Sequence, residues 1–369
     1  MSFYAIYQKY KSFDLNNFLL NTKENDIINI LKSKRITAEQ FLNLLSPLAF
    51  KYLEPLAQIS HRLTKQYFGK TILLYTPLYL SNYCDNQCLY CGFNTTNNIK
   101  RKKLSLAEVE REAQFIAKTG LKHILVLSGE SRKITPISYL KDCITILRKY
   151  FSSISIEIYP LEEDEYKELI KEGVDGLTIY QEVYDEDIYK KIHLSGPKTD
   201  YLFRLDTPER AARAGMRTIN IGALLGLNQW EKESFFLGLH AEYLQNEYPG
   251  CEISISIPRI RKQVSSFKEP FMVSDKNIVQ MIIAMRLFLP RVGISLTTRE
   301  KAQLRDDIIP LGITKISAGS ITSVGGHTLE SANNTEQFSI LDKRNVTEIK
   351  KMLLNKGYQP LFKDWVGVC

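Results

Sequence analysis

The sequence predicts an α/β fold: a (β/α)8 barrel of the TIM type, preceded by helices and followed by a short helical tail. Three observations carry that prediction. From residue 71 onward, short β-branched runs alternate with amphipathic stretches; eight such runs occur; and glycines fall where a stretch ends before the next run. The 369 residues, 44% apolar and 24% charged, suffice for one large domain with appendages. Such a composition excludes a disulfide-stapled mini-protein, a disordered tail and a collagen-like fibre.

Residues 1–70 read as a helical extension. Ile27, Ile28, Ile30 and Leu31, then Phe41, Leu42, Leu44 and Leu45, recur at helical spacing. Thr37-Ala38-Glu39-Gln40 has the form of a capping box opening the second of these helices. A third run covers residues 53–67. The barrel is expected over residues 71–324, with strands at 71–79, 123–128, 154–159, 176–181, 217–222, 252–257, 293–297 and 314–318. Helical patterns lie between them at 105–119, 137–150, 162–172, 206–214, 230–246, 274–289 and 299–308. Thr207-Pro208-Glu209 places threonine as N-cap and proline at the first helical position. Gly120, Gly173 and Gly215 each close a helix before a strand. Residues 325–369 read as a loop, one helix and a tail packed on the barrel. In such a barrel chemistry belongs at the C-terminal ends of the strands, so functional residues are expected to follow the strand runs. Whether eight strands close fully or leave a gap is open at this stage.

Residues 1–15, MSFYAIYQKYKSFDL, lack the apolar core and small-residue cleavage site of a secretory signal. The longest apolar candidate, residues 71–83, is interrupted by Pro77 and too short to span a membrane. A soluble, cytoplasmic protein without membrane association is expected. The net charge of +8 comes from 49 Lys+Arg against 41 Asp+Glu, but the lysines are spread evenly. Their one tight cluster, Lys100 to Lys103, sits beside a cysteine motif, so charge does not mark a nucleic-acid surface.

Of six cysteines, three crowd into Cys84-Asp-Asn-Gln-Cys88-Leu-Tyr90-Cys91-Gly-Phe93. This CxxxCxxC segment directly follows the first strand run. Three thiolates so spaced suit a cluster better than a disulfide framework. A [4Fe–4S] cube with three protein ligands keeps one iron open to a small molecule. A zinc site needs a fourth ligand, and His61, His123, His193, His240 and His327 are scattered along the chain. Cys143 and Cys251 read as small buried apolar residues; Cys369 has no assigned role.

The spacing resembles the radical S-adenosylmethionine (SAM) superfamily, whose open iron binds the amine and carboxylate of SAM. The surrounding text narrows this. LYTPLYLSNYCDNQCLYCGF, LVLSGE and LTIYQEVYDEDIYKKIHLSGPKTDYLFRLDTPERAARAGMRTINIGALLGL look like the tyrosine lyases of bacterial thiazole biosynthesis (2-iminoacetate synthases), a likeness that extends to the terminal GYQPLFKDW. The resemblance implies one-electron cleavage of SAM to methionine and a 5′-deoxyadenosyl radical. Hydrogen is then removed from the tyrosine amino group, and Cα–Cβ scission gives p-cresol and 2-iminoacetate. It also implies a flavodoxin or ferredoxin electron donor and hand-off of the water-labile imine to a thiazole synthase. The related tyrosine lyase of [FeFe]-hydrogenase maturation carries a second cluster on a C-terminal extension. Here only Cys369 lies beyond Cys251, so no second cluster is expected. A tryptophan lyase remains the alternative.

The same resemblance assigns residues. Cys84, Cys88 and Cys91 ligate the cluster. Ser128-Gly129-Glu130 corresponds to the motif that meets the SAM amine, with Ser where many members have Gly; the lesser alternative for Glu130 is a helix-start or solvent-facing carboxylate. Glu182 matches the carboxylate for the SAM ribose, and Arg204 the arginine for the SAM carboxylate, although it also suits a surface helix start. Gly222 and Gly226 suit a close approach of adenine, or simply shape a turn. Arg299 is placed for the substrate carboxylate, with Ser317 and Ser320 as hydroxyl partners. Tyr90 is a candidate for the substrate amine, or an aromatic shield for the cluster. Gly325-Gly326-His327 resembles a closing loop with a structural histidine.

Overall fold

The computed structural model describes residues 2–264, 267–328 and 335–364. Eight parallel strands form a closed barrel: β1 (Thr71–Ser81), β2 (His123–Ser128), β3 (Ser153–Glu157), β4 (Gly176–Glu182), β5 (Thr218–Ala223), β6 (Glu252–Ser256), β7 (Gly293–Leu296) and β8 (Lys315–Ser317). Each strand pairs with the next, and β1 pairs with both β2 and β8, so the ring has no open seam. The alternation along β1 shows how sequence sets the two faces. Ile72, Leu74, Leu78 and Leu80 are completely buried under the helical layer, while Tyr75, Pro77 and Tyr79 line an interior cavity.

Two strands slip register near their C-terminal ends, β1 between Tyr79 and Ser81 and β4 between Tyr180 and Glu182. Such irregularities re-aim the chain; they fall on the strands that deliver Cys84 and Glu182.

Ahead of the barrel run α1 (Phe3–Lys11), α2 (Leu15–Leu20), α3 (Glu24–Lys32), α4 (Ala38–Leu44) and α5 (Leu53–Phe68). The capping box forms: Thr37 Oγ1 accepts from Gln40 N at 3.2 Å and Gln40 Oε1 from Thr37 N at 3.0 Å. The barrel's own layer includes α6 (Leu106–Ala117), α7 (Ile137–Leu147), α8 (Glu163–Glu172), α9 (Glu186–Ile192), α10 (Tyr201–Leu205), α11 (Thr207–Arg213), α12 (Trp230–Glu247), α13 (Asp275–Phe288), α14 (Ala302–Ile308) and α15 (Val346–Asn355). The N-terminal helices share one apolar core with this layer. Phe41 stacks on Phe288 with ring centroids 4.5 Å apart. It comes so near α12 that a Cβ on Gly238 would lie 2.4 Å from its ring.

Gly120, Gly173 and Gly215 follow α6, α8 and α11 at φ of +90°, +111° and +94°, the left-handed geometry that ends a helix. Thr207 differs from expectation. It is the first residue of α11, not its cap, because its hydroxyl donates back to Phe203 O at 2.8 Å and links α11 to α10. The tail also does more than pack on the surface. Residues Gln359–Leu361 form β9, which pairs with β1 over Thr71–Leu73, and Lys122 N donates to Phe362 O at 2.8 Å. The tail therefore covers the N-terminal end of the β1–β2 seam. Pro360 is tolerated because β9 has only one neighbour in the sheet.

Phe3 anchors the N-terminal helix by stacking on His240 at 4.1 Å, while Tyr184 OH lies 3.0 Å from His240 Nδ1. Burial pushes the imidazole from 6.5 down to about 3. Between those values the unfolded chain binds a proton that the folded one refuses. Stability is therefore full above pH 6.5 and falls by about 1.4 kcal/mol per unit below it. Unfolding at pH 7 and pH 5.5 is expected to show His240→Phe losing about 1 kcal/mol less than the parent over that interval.

Candidate active site at the C-terminal mouth of the barrel

The cysteine loop leaves β1 at the C-terminal mouth and is clamped from two sides. On one side the loop after β2 runs against it. Gly129 N donates to Ser81 O and Asp85 N to Glu130 O, both at 2.8 Å. On the other side, residues 192–195 pair antiparallel with the loop: Leu89 N donates to Ile192 O at 3.0 Å, Leu194 N to Gln87 O at 3.0 Å and Gln87 N to Ser195 O at 2.9 Å. Asn86 ties both sides together, donating to Glu130 Oε2 at 2.6 Å and accepting from Lys198 N at 2.8 Å. Arg101, in the basic cluster, donates to the carbonyls of Asn82, Phe93 and Asn94 at 2.6–2.8 Å. The cluster of positive charge thus has a local task in holding the loop.

Gly129 is there for space. A Cβ on it would lie 2.3 Å from Tyr83 O and 3.3 Å from Cys84 Cβ, so alanine must push the first cysteine away. Gly129→Ala is expected to lower the iron retained per chain and to cost about 1–3 kcal/mol of stability. Iron analysis and thermal unfolding check both.

The three thiols are suited to a cluster. Burial pushes those of Cys88 and Cys91 upward, so without iron they stay protonated, and ligation must displace the protons. Side-chain amides approach two of the sulfurs at 3.8 Å, Asn86 on Cys84 and Gln337 on Cys91. Among the described residues no three His, Cys, Asp or Glu side chains converge on a point that holds a single ion. Three thiols on one loop can each meet a separate iron of a cube.

Two cavities meet below this loop. The outer one touches Tyr90, Cys91, Glu182 and Lys198. The inner one descends among Tyr75, Pro77, Tyr79, Leu125 and Leu127. Glu157, Tyr180, Arg299 and Phe338 line both.

A charged group of three stands at the outer cavity: Glu182 and Lys198 line it, and Arg204 lies behind them. Glu182 is the only described non-glycine residue with positive φ, +71°. That conformation costs on the order of 1–3 kcal/mol and marks a position whose side chain must point one way. Its carboxylate accepts from Lys198 Nζ at 2.7 Å and lies 3.6 Å from Arg204 Nη2. Burial alone would raise Glu182, but Lys198 and then Arg204 outweigh it and hold the carboxyl below its ordinary value. Arg204 is buried, and its Nε donates to Tyr180 O at 2.7 Å.

The other expected residues fall as follows. Ser128 and Ser320 have buried hydroxyls with no protein partner among the described residues. Ser317 Oγ accepts from Thr298 N at 3.1 Å and lines the inner cavity with Ser320. Tyr90 OH lies 2.8 Å from His193 Nε2, and His193 Nδ1 donates to Tyr189 O at 2.9 Å, so the phenol proton goes to the histidine. Gly222 gives its space to the Tyr180 ring, 2.6 Å from where a Cβ would stand. Gly226 adopts φ +110° against Ile260, Glu269 and Phe271. The structure adds Asn86, Lys198, His193, Gln337 and Glu157, which sequence reasoning did not select. His327 bonds Pro77 O at 3.0 Å and its backbone donates to Glu112, a structural placement. Cys369 lies outside the described residues.

A closed parallel barrel with a CxxxCxxC loop at its mouth, flanked by a glycine-bearing acidic turn and a buried Glu–Arg pair, defines a radical SAM protein. The Radical SAM superfamily model matches residues 78–237, and that of the Biotin and Thiamin Synthesis associated domain matches residues 256–359. The chain is 41% identical to 2-iminoacetate synthase of Escherichia coli K12 and 40% identical to that of Salmonella typhimurium LT2, each over 92% of this chain and 90% of the relative. It belongs to the 2-iminoacetate synthase family. The crystal structure of the [FeFe]-hydrogenase maturase HydG from Carboxydothermus hydrogenoformans superposes with a TM-score of 0.88 at 33% identity, covering 98% of this chain and 84% of that one.

Proposed function

We infer that this chain is a radical SAM lyase that cleaves the Cα–Cβ bond of L-tyrosine. The products are 2-iminoacetate and p-cresol, with methionine and 5′-deoxyadenosine, and the imine serves thiamine thiazole formation. The observation that carries this is a pair of adjoining cavities that share Arg299 in their walls, one touching Cys91 of the three-cysteine loop and the other walled by Tyr75, Tyr79, Leu125 and Leu127. It suits an amino acid whose charged head lies toward SAM and whose aromatic ring lies deeper.

Cys84, Cys88 and Cys91 would hold the [4Fe–4S] cluster, which when bound supplies the electron that splits SAM. Ser128, Gly129 and Glu130 would flank the SAM amine, Glu182 would accept from the ribose hydroxyls, and Arg204 would face the SAM carboxylate. Gly226 would shape the adenine side, whereas Gly222 makes room for the Tyr180 ring. Arg299 is poised for the substrate carboxylate. Its guanidinium stacks 3.3 Å above the Phe338 ring and makes no ion pair among the described residues, so it is available to a bidentate anion. Ser317 and Ser320 offer hydroxyls inside the chamber, and the oxygen of Tyr90 remains able to accept a bond on the cluster side. The chain's main task is to fix the amine beside the point of hydrogen removal and to keep water out.

Among the described residues no helix is long and apolar enough to cross a membrane. Oxygen-sensitive thiolates suit the reducing cytoplasm. A one-electron donor of the flavodoxin or ferredoxin kind and direct transfer of the imine to a thiazole synthase complete the proposal. An acidic donor would be favoured by the net charge of +8. The test is SAM cleavage by reconstituted protein with tyrosine, with tryptophan and with neither. Tyrosine alone should accelerate 5′-deoxyadenosine release; acceleration by tryptophan instead would assign a tryptophan lyase.

A further inference from the structure

The junction of the two cavities contains a second charged group that the sequence did not point to. Glu157 ends β3, where it is paired to β2 opposite Leu127, and its side chain lines both the outer and the inner space. Among the described residues its carboxylate has neither a hydrogen bond nor an ion pair. Arg299, on the same junction, is equally without a carboxylate partner, and the two do not pair with each other. Both are half-buried at the wall of the cavities, so in the empty site each charge is partly withdrawn from water without an opposite charge in contact. Side by side, they form a receptor for a molecule that carries both charges at once.

We propose that Glu157 binds the α-amino group of the substrate while Arg299 takes its α-carboxylate, so that the pair selects an amino acid zwitterion and holds its nitrogen at the boundary with the SAM chamber. This rests on the tyrosine lyase reading. Three further observations support it. The aromatic chamber begins at this junction, so a ring placed among Tyr75, Tyr79 and Leu125 leaves the head group beside Glu157. Tyr90, the other candidate for the amine, gives its phenol proton to His193 and so can offer an ammonium only a neutral oxygen, a weaker acceptor than a carboxylate. Burial first, and Glu182 second, push the Glu157 carboxyl up to about 7, which is the behaviour of a carboxylate lacking its counter-charge; Arg299, Lys198 and Arg204 offset this only in part. An incoming ammonium supplies what is missing.

The experiment measures binding to anaerobically reconstituted holoenzyme with SAM. Three ligands are compared by equilibrium dialysis: L-tyrosine, 3-(4-hydroxyphenyl)propanoate, which lacks the amine, and L-phenylalanine, which lacks the hydroxyl. The parent protein is expected to prefer tyrosine over the des-amino acid by about tenfold or more, the scale of a charge-assisted bond. Glu157→Gln should shrink that preference to about threefold or less and leave the preference over phenylalanine unchanged. Glu157→Asp, which keeps the charge on a shorter arm, should lie between the two and serves if the glutamine variant does not take up iron. Unchanged amine discrimination in both variants would overturn the proposal. So would loss of hydroxyl discrimination instead, because it puts Glu157 at the phenol end. Failure of the parent itself to bind tyrosine would remove the tyrosine reading and this assignment together.

Discussion

Cys88→Ala is expected to bind almost no iron and to lose 5′-deoxyadenosine formation by at least about three orders of magnitude, as when an indispensable group is removed. Cys88 is the most enclosed of the three cysteines, buried and paired through its backbone with His193. The fold does not depend on its sulfur. The loop around it is held by backbone bonds to residues 192–195, by Asn86 and by Arg101. The variant should therefore be folded, with a thermal midpoint near that of the metal-free parent, and yet lack the visible absorption of an iron–sulfur protein. Iron and sulfide analysis with product chromatography read both halves. A variant that retained iron and SAM cleavage would show that the loop is not the cluster site.

Arg299→Ala is expected to weaken tyrosine binding by about 10- to 100-fold, the range of a charge-assisted bidentate contact. Tyrosine cleavage should fall further than SAM cleavage measured without substrate. The two diverge because Arg299 stacks on Phe338 and pairs with no carboxylate in the described protein, so its removal orphans no partner. Arg305 provides the contrast. It is fully buried, ion-paired to Asp342 and bonded to Ser317 O, and its loss should cost about 3–5 kcal/mol of stability. Parallel loss of tyrosine cleavage and uncoupled SAM cleavage in Arg299→Ala, measured on reconstituted protein, would remove the clamp role.

The barrel was legible because its signals are local and repeated. Runs such as residues 123–128 and 176–181 are apolar on both faces, and Gly120, Gly173 and Gly215 end helices with a conformation other residues resist. The cysteine loop was legible from spacing alone. Short elements were not: α9 and α10, of seven and five residues, offer too few turns for a periodicity to register. β9 is three residues long with a proline in the middle, and only its partner β1 makes it a strand. Closure of the ring likewise depends on long-range pairing between β1 and β8, which no local pattern encodes.

At the site, sequence reasoning found residues whose type announces a task and missed those whose task comes from position. Asn86 lies within the cysteine motif, yet its three-way bridge depends on Glu130 and Lys198, 44 and 112 residues away. Glu157 looks like any acidic residue at the end of a strand until the closed barrel places it opposite Arg299. Gly222 shows the reverse: a glycine matched to a cofactor position makes room, in the fold, for Tyr180.

The most direct measurement is quantitative mass spectrometry of products after anaerobic incubation of the reconstituted protein with SAM, dithionite and L-tyrosine. p-Cresol and 5′-deoxyadenosine forming in equal amounts is the expected result, since each cleaved SAM should release one tyrosine side chain. Deoxyadenosine accumulating without p-cresol would contradict tyrosine cleavage while leaving the radical SAM chemistry of the cysteine loop in place.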